Sequence, residues 1–207
     1  MTVRSPWRTL LYNRLSTVVL TGKGIDLGGS RKSAYSNGFK GNFELTVANL
    51  DVEHPQDVRL NLEEKFSIQD STYDFVLCIN VLEHIFNYQN VISETKRILK
   101  PGGIAVFAVP FLIQVHPSPH DHWRFTGETL ERLFKEAGFS EVTVEPIGTG
   151  VFGSTSQIAF NVFKFGILRQ TLIYTSTFVD GLIARFGNGK NYTKNFYPLG
   201  YVVVMRK

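Results

Sequence analysis

The stretch that decides the fold begins Tyr73-Asp74-Phe75-Val76-Leu77-Cys78-Ile79-Asn80-Val81-Leu82-Glu83-His84-Ile85 and closes with Leu99-Lys100-Pro101-Gly102-Gly103-Ile104-Ala105-Val106-Phe107-Ala108-Val109. Tyr73 to Ile79 is a short, nearly continuous apolar run, the pattern of a strand buried on both faces of a parallel sheet. Val91, Ile92, Thr95, Ile98 and Leu99 then fall on one face of a helix, with Asn87 placed to cap it. Pro101-Gly102-Gly103 stops that helix, and Ile104 to Val109 reads as the next strand. The unit sets Asn80, Glu83 and His84 at the carboxyl end of a strand, where open α/β sheets bind ligands.

Working outward, Gly24-Ile25-Asp26-Leu27-Gly28-Gly29 repeats the logic of strand, acid and glycine turn. Lys23 to Leu27, Phe43 to Ala48, Asp57 to Leu60, Val142 to Ile147 and Gly200 to Met205 read as further strands. Thr126 begins a helix with Glu128 near its positive end, a buried stripe of Leu130, Leu133, Phe134 and Ala137, and Gly138 as its stop. Residues 148–199 are far too long for a hairpin loop and are expected to form one or two helices. Their apolar residues, among them Ile158, Phe160, Phe165, Ile167, Leu168, Phe178 and Leu182, suit an extra core layer, a lid, a dimer face or a membrane-docking face.

A chain of 207 residues suits one domain, spanning 1–207, with a full core. Apolar content of 43% and charged content of 19% are those of a soluble globular protein. The net charge of +4 is mild beside the concentrated basic face of nucleic-acid modules and neither requires nor excludes an anionic partner; a small-molecule or glycan partner is expected over a nucleic acid. The single cysteine, Cys78, sits in an apolar strand and reads as a buried, inert thiol; without an internal disulfide the chain suits a reducing, cytoplasmic compartment. No secretory signal and no spanning helix are expected. Residues 1–22 read as a helix, with Trp7, Leu10, Leu11, Leu15, Val18 and Val19 at near-helical spacing and Arg4, Arg8 and Arg14 between them. It is expected to pack on the domain, with peripheral membrane contact as its other use.

The ordered set Asp26-Leu27-Gly28-Gly29, Asp51, Tyr73-Asp74, Val81-Leu82-Glu83-His84 and Lys100-Pro101-Gly102-Gly103 resembles the class I S-adenosylmethionine-dependent methyltransferases over roughly residues 22–147 plus the final strand. The run His120-Asp121-His122-Trp123-Arg124-Phe125-Thr126, followed by a helix ending Glu136-Ala137-Gly138-Phe139, is similar to a subgroup associated with glycan and secondary-metabolite pathways. The resemblance implies an α/β fold: a doubly wound, mostly parallel, seven-stranded Rossmann-like sheet with an antiparallel last strand and the helical insertion before it. It also implies S-adenosyl-L-methionine as cofactor. The family's first motif carries further glycines where Ser30 and Lys32 stand here.

Gly28 and Gly29 lack a Cβ and permit close backbone approach to a ligand. Asp26 is placed to attract the cofactor's ammonium group through water. Asp51, 25 residues further on, is placed to accept from ribose hydroxyls. By resemblance Asn61 takes the adenine-side position, with a simple loop amide as the rival reading, and Ser30, Val52, Leu62, Asn80 and Val81 complete the expected contacts. For the chemistry, His120 is the first candidate base with Asp121 as its orienting partner, and His84 the second. His116, Trp123 and Arg124 are candidate substrate contacts, Arg124 as a fork for an anion or as a salt bridge fixing the loop, and Trp123 as a stacking surface or a core residue. His116, His120 and His122 match no metal-ligand spacing, so no metal is expected.

The resulting expectation is methyl transfer to an oxygen of a small-molecule or glycan-like substrate. The rivals are a nitrogen or nucleic-acid methyltransferase, a non-catalytic methyltransferase-like binding module, and a membrane-surface protein acting on lipid-linked substrate. Oligomeric state is not written in the sequence.

Overall fold

A computed structural model describes residues 3–52, 54–186 and 193–207. Its strands are β1 (Gly22–Leu27), β2 (Phe43–Asn49), β3 (Val58–Arg59), β4 (Tyr73–Ile79), β5 (Leu99–Pro110), β6 (Ser140–Ile147) and β7 (Gly200–Arg206). Its helices are α1 (Pro6–Leu15), α2 (Tyr88–Ile98), α3 (Gly127–Glu136), α4 (Val151–Ala159) and α5 (Gly166–Phe186). The strands form one sheet in the order β3-β2-β1-β4-β5-β7-β6. The first five are mutually parallel, and β7 runs antiparallel between β5 and β6. The expected architecture is therefore the observed one.

The central strands are apolar on both faces because both faces are covered. On one side Ile25, Val76, Cys78, Ala105 and Phe107 pack with α2 and α3 through Val91, Ile92, Ile98, Leu130 and Phe134. On the other, Phe75, Leu77, Ile79, Val106 and Ala108 pack against Trp7, Leu11 and Leu15 of α1. The expected N-terminal helix thus lies on the domain, but it stops at Leu15 instead of running to residue 22, and Val19 is exposed. Tyr35 and Phe39, in the link from β1 to β2, help cover the same face. That link holds only a 3-10 turn, Ser36–Gly38, where a helix would complete the double winding. Its sequence carries Gly28, Gly29, Gly38 and Gly41 and no helical apolar stripe, so it has little to hold a helix together.

Two local devices differ from expectation. Asn87 stands at the N-cap of α2 but makes no side-chain cap; the Glu63 carboxylate instead accepts from the backbone N–H groups of Phe86 (2.8 Å) and Asn87 (2.9 Å). Glu63 is remote in sequence, which hid the role. The Lys100–Gly103 segment lies within β5, where the pairing with β4 shifts register between Tyr73 and Phe75, and does not precede the strand. The caps of α3 are as read, with Thr126 Oγ1 accepting from Thr129 N and Gly138 at φ +81° just past the end, but of the expected buried stripe only Leu130 and Phe134 are buried and Leu133 and Ala137 are half-buried.

Within residues 148–199 the described part is a helical hairpin of α4 and α5; residues 187–192 lie outside the described residues. The hairpin is polar within. The buried Asp180 carboxylate accepts from Thr149 Oγ1 (2.7 Å), Phe152 N (3.1 Å) and Gly153 N (2.7 Å), holding negative charge at the positive end of α4. Gln157 Oε1 accepts from Trp7 N (3.0 Å), tying α4 to α1. Its apolar side chains face outward: Phe165, Ile167, Tyr174, Phe178 and Phe186 are each at least 66% exposed. No helix among the described residues is long and apolar enough to cross a membrane.

Candidate functional site

A crevice of about 440 Å³ opens over the carboxyl ends of β1, β2 and β4. Its donor-side wall is built from the bend after β1 and the end of β2. Gly28 sits at φ +71°, and a Cβ there would overlap the Val81 side chain. A Cβ on Gly29 would fall on the Asp26 carboxylate. The bend is therefore possible only for glycine, and it leaves bare backbone beside the crevice. Asn49 locks it in place: its Nδ2 donates to Gly29 O (2.9 Å) while its Oδ1 accepts from Leu50 N (2.8 Å).

Asp26 is fully buried beneath that bend. Tyr35 donates its hydroxyl to Asp26 Oδ2 at 2.8 Å, while Oδ1 has no partner. Burial pushes the Asp26 carboxyl up to about 7, against the lowering pull of the Tyr35 bond. Burial, then the charge of Asp26, pushes the Tyr35 phenol upward. Asp26 thus supports the bend from below and does not line the crevice.

The other expected cofactor residues divide. Gly28, Asp51, Asn61, Leu62, Asn80 and Val81 line the crevice. Gly29 and Ser30 line a smaller adjoining cleft that shares Asn49 and Asp51. Val52 is exposed and lines neither. Asn61 is already engaged: its Oδ1 accepts from Glu63 N (3.1 Å) and its Nδ2 donates to Glu64 Oε1 (2.7 Å), the loop-amide reading.

The opposite wall comes from the turn after β4 and the loop after β5. The Glu83 carbonyl accepts from His122 N (2.8 Å) and Trp123 N (3.2 Å), which staples the two segments together. His84 Nδ1 lies 2.5 Å from the His120 carbonyl. His84 and His120, with Ser118 and Pro119, line the crevice. Burial lowers the His84 pKa, with the bond to the His120 carbonyl opposing. The Glu83 side chain is fully buried and neither carboxylate oxygen has a hydrogen-bond partner in another residue. Burial pushes its pKa up to about 8, against the lowering pull of its own backbone N–H and, less, of the Arg124 charge.

Asp121 does not orient the His120 ring. Both its oxygens go to the Arg124 fork (2.5 and 2.7 Å), and it accepts from His116 N (2.9 Å). The guanidinium holds the Asp121 carboxyl well below the usual carboxylate range. An adjacent arginine three residues away was the better partner, and a bidentate fork outcompetes a single imidazole bond. Arg124 is accordingly the loop salt bridge of the two readings. Trp123 is a packing residue, edge-on to Tyr88 and stacked with Phe125, its Nε1 donating to Ile85 O (3.1 Å). His122 stands beside the rings of Phe86 and His120. Cys78 is buried, and burial pushes its thiol far up, leaving it inert.

Asn80 lines both the crevice and a second cavity of about 420 Å³, bordered also by Arg4, Trp7, Arg8, Gln114, His116 and Gln157. Asn80 takes φ +55° and accepts from Trp7 Nε1 at 3.0 Å, so the start of the chain helps shape the site. The sequence did not announce Tyr35, Asn49, Glu63 or the Arg4–Arg8 cavity. Each acts across a gap in the chain, and only Asn49, an amide at the end of an expected strand, left a local signal.

Residues 12–144 match the family model of a methyltransferase domain. The chain is 28% identical over 103 residues to a probable S-adenosylmethionine-dependent methyltransferase of Mycolicibacterium smegmatis, covering 46% of this chain and 40% of that protein. It is also 28% identical over 96 residues to a ubiquinone biosynthesis O-methyltransferase of Burkholderia pseudomallei, covering 38% and 41%. The matches thus span less than half the length of these curated relatives. Among solved structures, an S-adenosylmethionine-dependent methyltransferase from Archaeoglobus fulgidus superposes with a TM-score of 0.58 at 15% identity, covering 98% of this chain and 92% of that one. Phosphoethanolamine N-methyltransferase 2 of Haemonchus contortus, in complex with S-adenosyl-L-methionine, gives 0.57 at 14% identity, covering 97% and 52%. The chain belongs to the methyltransferase domain family, within the class I S-adenosylmethionine-dependent methyltransferases. S-adenosyl-L-methionine is the cofactor of that class, and the glycine bend over Asp26, open to the crevice beside Asp51, fits it.

Proposed function

We propose that the chain catalyses methyl transfer to an oxygen of a small-molecule or glycan-like acceptor, with the donor held over the glycine bend. The observation that carries this is a pair of neighbouring cavities that share Asn80, one lined by Gly28, His84 and His120 and the other by His116, Arg4 and Arg8. When bound, S-adenosylmethionine supplies a sulfonium-activated methyl group. The chain's own residues have to hold, align and deprotonate. Gly28, Val81 and Leu62 offer close backbone and apolar contact, and Asp51 stands at the crevice mouth as a hydroxyl acceptor. Alignment of acceptor and donor can lower the barrier by several kcal/mol.

His120 is our candidate base. It lines the crevice, is exposed to solvent, and no partner for its ring nitrogens is seen among the described hydrogen bonds. Arg4 and Arg8 border the second cavity, which favours an acceptor carrying a carboxylate or phosphate there. The O-methyltransferase names among the relatives support oxygen over nitrogen as the nucleophile. The test is turnover against matched hydroxyl and amine acceptors, with and without an acidic group. Preference for neutral amines would overturn the reading.

We also propose that the outer face of the α4–α5 hairpin rests on an anionic lipid bilayer. Its exposed apolar residues are accompanied by Lys164, Arg169 and Arg185, whereas the acid of the described hairpin, Asp180, is buried in the α4 cap. That charge pattern suits an acidic lipid surface. Co-sedimentation with vesicles containing phosphatidylserine should be lost in the double variant Phe165→Glu, Phe178→Glu. Concentration-dependent dimerisation without vesicle binding would assign the face to a second copy instead.

A further inference from the structure

We infer that Glu83, His84 and His116 form a binding site for one divalent transition-metal cation, zinc being the best match. Glu83 Oε1 lies 3.6 Å from His84 Nε2 and 3.9 Å from His116 Nε2. One ligand atom from each of the three residues falls within 4.8 Å of the others.

The tautomers follow from the neighbours. His84 Nδ1 faces the His120 carbonyl, which can only accept, so that nitrogen carries the proton. His116 Nδ1 faces the Gln114 carbonyl at 3.2 Å and Asp121 Oδ2 at 3.4 Å, again two acceptors. In the neutral form of each ring, Nε2 then presents a lone pair to Glu83 Oε1. The Glu83 carboxyl is completely buried and receives no hydrogen bond from any other residue. One ligand atom from each of the three residues converges there, with no hydrogen bond between them. A buried carboxylate in that state is costly unless paired with a cation or coordinating a metal.

The separations suit a metal. Tetrahedral zinc with bonds of about 2.0–2.1 Å sets its ligand atoms about 3.3 Å apart, so the two Glu83–histidine pairs, at 3.6 and 3.9 Å, need close by only a few tenths of an ångström, and the two histidine nitrogens, within 4.8 Å, by at most about 1.5 Å. Two imidazoles and a carboxylate are a zinc-like donor set and a poor one for calcium or magnesium. The outer contacts are those of ligating histidines, each Nδ1–H held by a carbonyl or carboxylate. Arg124, the nearby cation, is spent on Asp121. The His116 side chain is 35% exposed and borders the second cavity, which gives an ion a way in and leaves its open position on the side of the two cavities that share Asn80. A cation there could hold an acceptor oxygen; that use, unlike the site itself, rests on the oxygen-directed reading above.

By spacing along the chain His116, His120 and His122 match no metal-ligand pattern, and no metal was expected there. The fold takes only His116 from that run and supplies the other two ligands from the turn after β4, 32 or 33 residues earlier.

The test is calorimetric titration of the metal-free, full-length chain with Zn²⁺ near neutral pH, paralleled by Co²⁺ titration read by visible absorption. We expect one equivalent to bind, with a tetrahedral cobalt spectrum. Glu83→Gln and His116→Ala should each weaken it at least about tenfold, and His122→Ala should bind as the wild type does. Absence of binding, or binding indifferent to both ligand variants, overturns the site and assigns the gap to a proton. If Glu83→Gln fails to fold by circular dichroism, His116→Ala, on a loop, decides alone. Titration of the same samples with S-adenosylhomocysteine separates the two readings: cofactor binding without zinc binding sinks only this site, and zinc binding without cofactor binding sinks only the methyl-transfer reading.

Discussion

The two walls of the crevice are built on opposite principles. On the donor side almost every polar group has a partner: Asn49 clamps the glycine bend, Tyr35 bonds Asp26, and Asn61 is folded into its own turn. On the facing side the loops after β4 and β5 bring together Glu83, His84 and His116 with no hydrogen bond from another residue to the Glu83 carboxyl, and leave His120 open to solvent. A wall that is finished before the ligand arrives suits a group that must be bound in one pose. A wall with unmet bonding capacity suits a place where something arrives to be held or to lose a proton. The comparison teaches that the two sides should fail differently when altered.

The sharpest way to break the comparison is His120→Ala. Loss of a general base costs about 10²–10⁴ in turnover, so kcat should fall by at least about a hundredfold while the dissociation constant for S-adenosylhomocysteine changes by less than about threefold. An equal loss in both would move His120 to the donor wall.

Asp26 gives the next largest effect. Its folded-state pKa of about 7 lies above the unfolded value of 3.8, so folding favours its protonated form. That contribution is fully present below pH 3.8 and is lost as pH rises through about 7. Three pH units correspond to about 4 kcal/mol at most. Asp26→Asn should therefore lessen the decline in unfolding free energy between pH 4 and pH 7, measured by urea denaturation. An unchanged pH profile would show that the buried acid is not the source.

Asp51→Ala should weaken S-adenosylhomocysteine binding by about tenfold, as expected for loss of one or two hydrogen bonds to a charged group, with kcat at saturating donor little changed. Asn49→Ala is the smallest: it frees the glycine bend without touching its contacts, and about 1 kcal/mol of lost hydrogen bonding should appear as a several-fold weaker donor complex.

Much of the donor wall was legible because its signals are local. Strand, acid and glycine turn occupy six consecutive residues from Gly24 to Gly29, and Gly28 and Val81 meet because both end adjacent parallel strands. The sheet order and the antiparallel β7 followed from the family resemblance. The facing wall was less legible because its geometry is set by contacts across 30 or more residues. Asp121 stood next to His120 in sequence, yet the Arg124 fork claimed it. Glu83 was visible in the motif but received no role, since nothing in the chain says that a carboxylate will be buried without a donor. The hairpin's apolar content was plain, but a helical stripe does not say which way it faces, and here it faces out.

The most direct measurement is calorimetric titration of the full chain with S-adenosylhomocysteine alongside Asp51→Ala and His120→Ala. The account predicts one site, about tenfold weaker in the first variant and nearly unchanged in the second. No heat at millimolar ligand, or binding indifferent to Asp51, would contradict it.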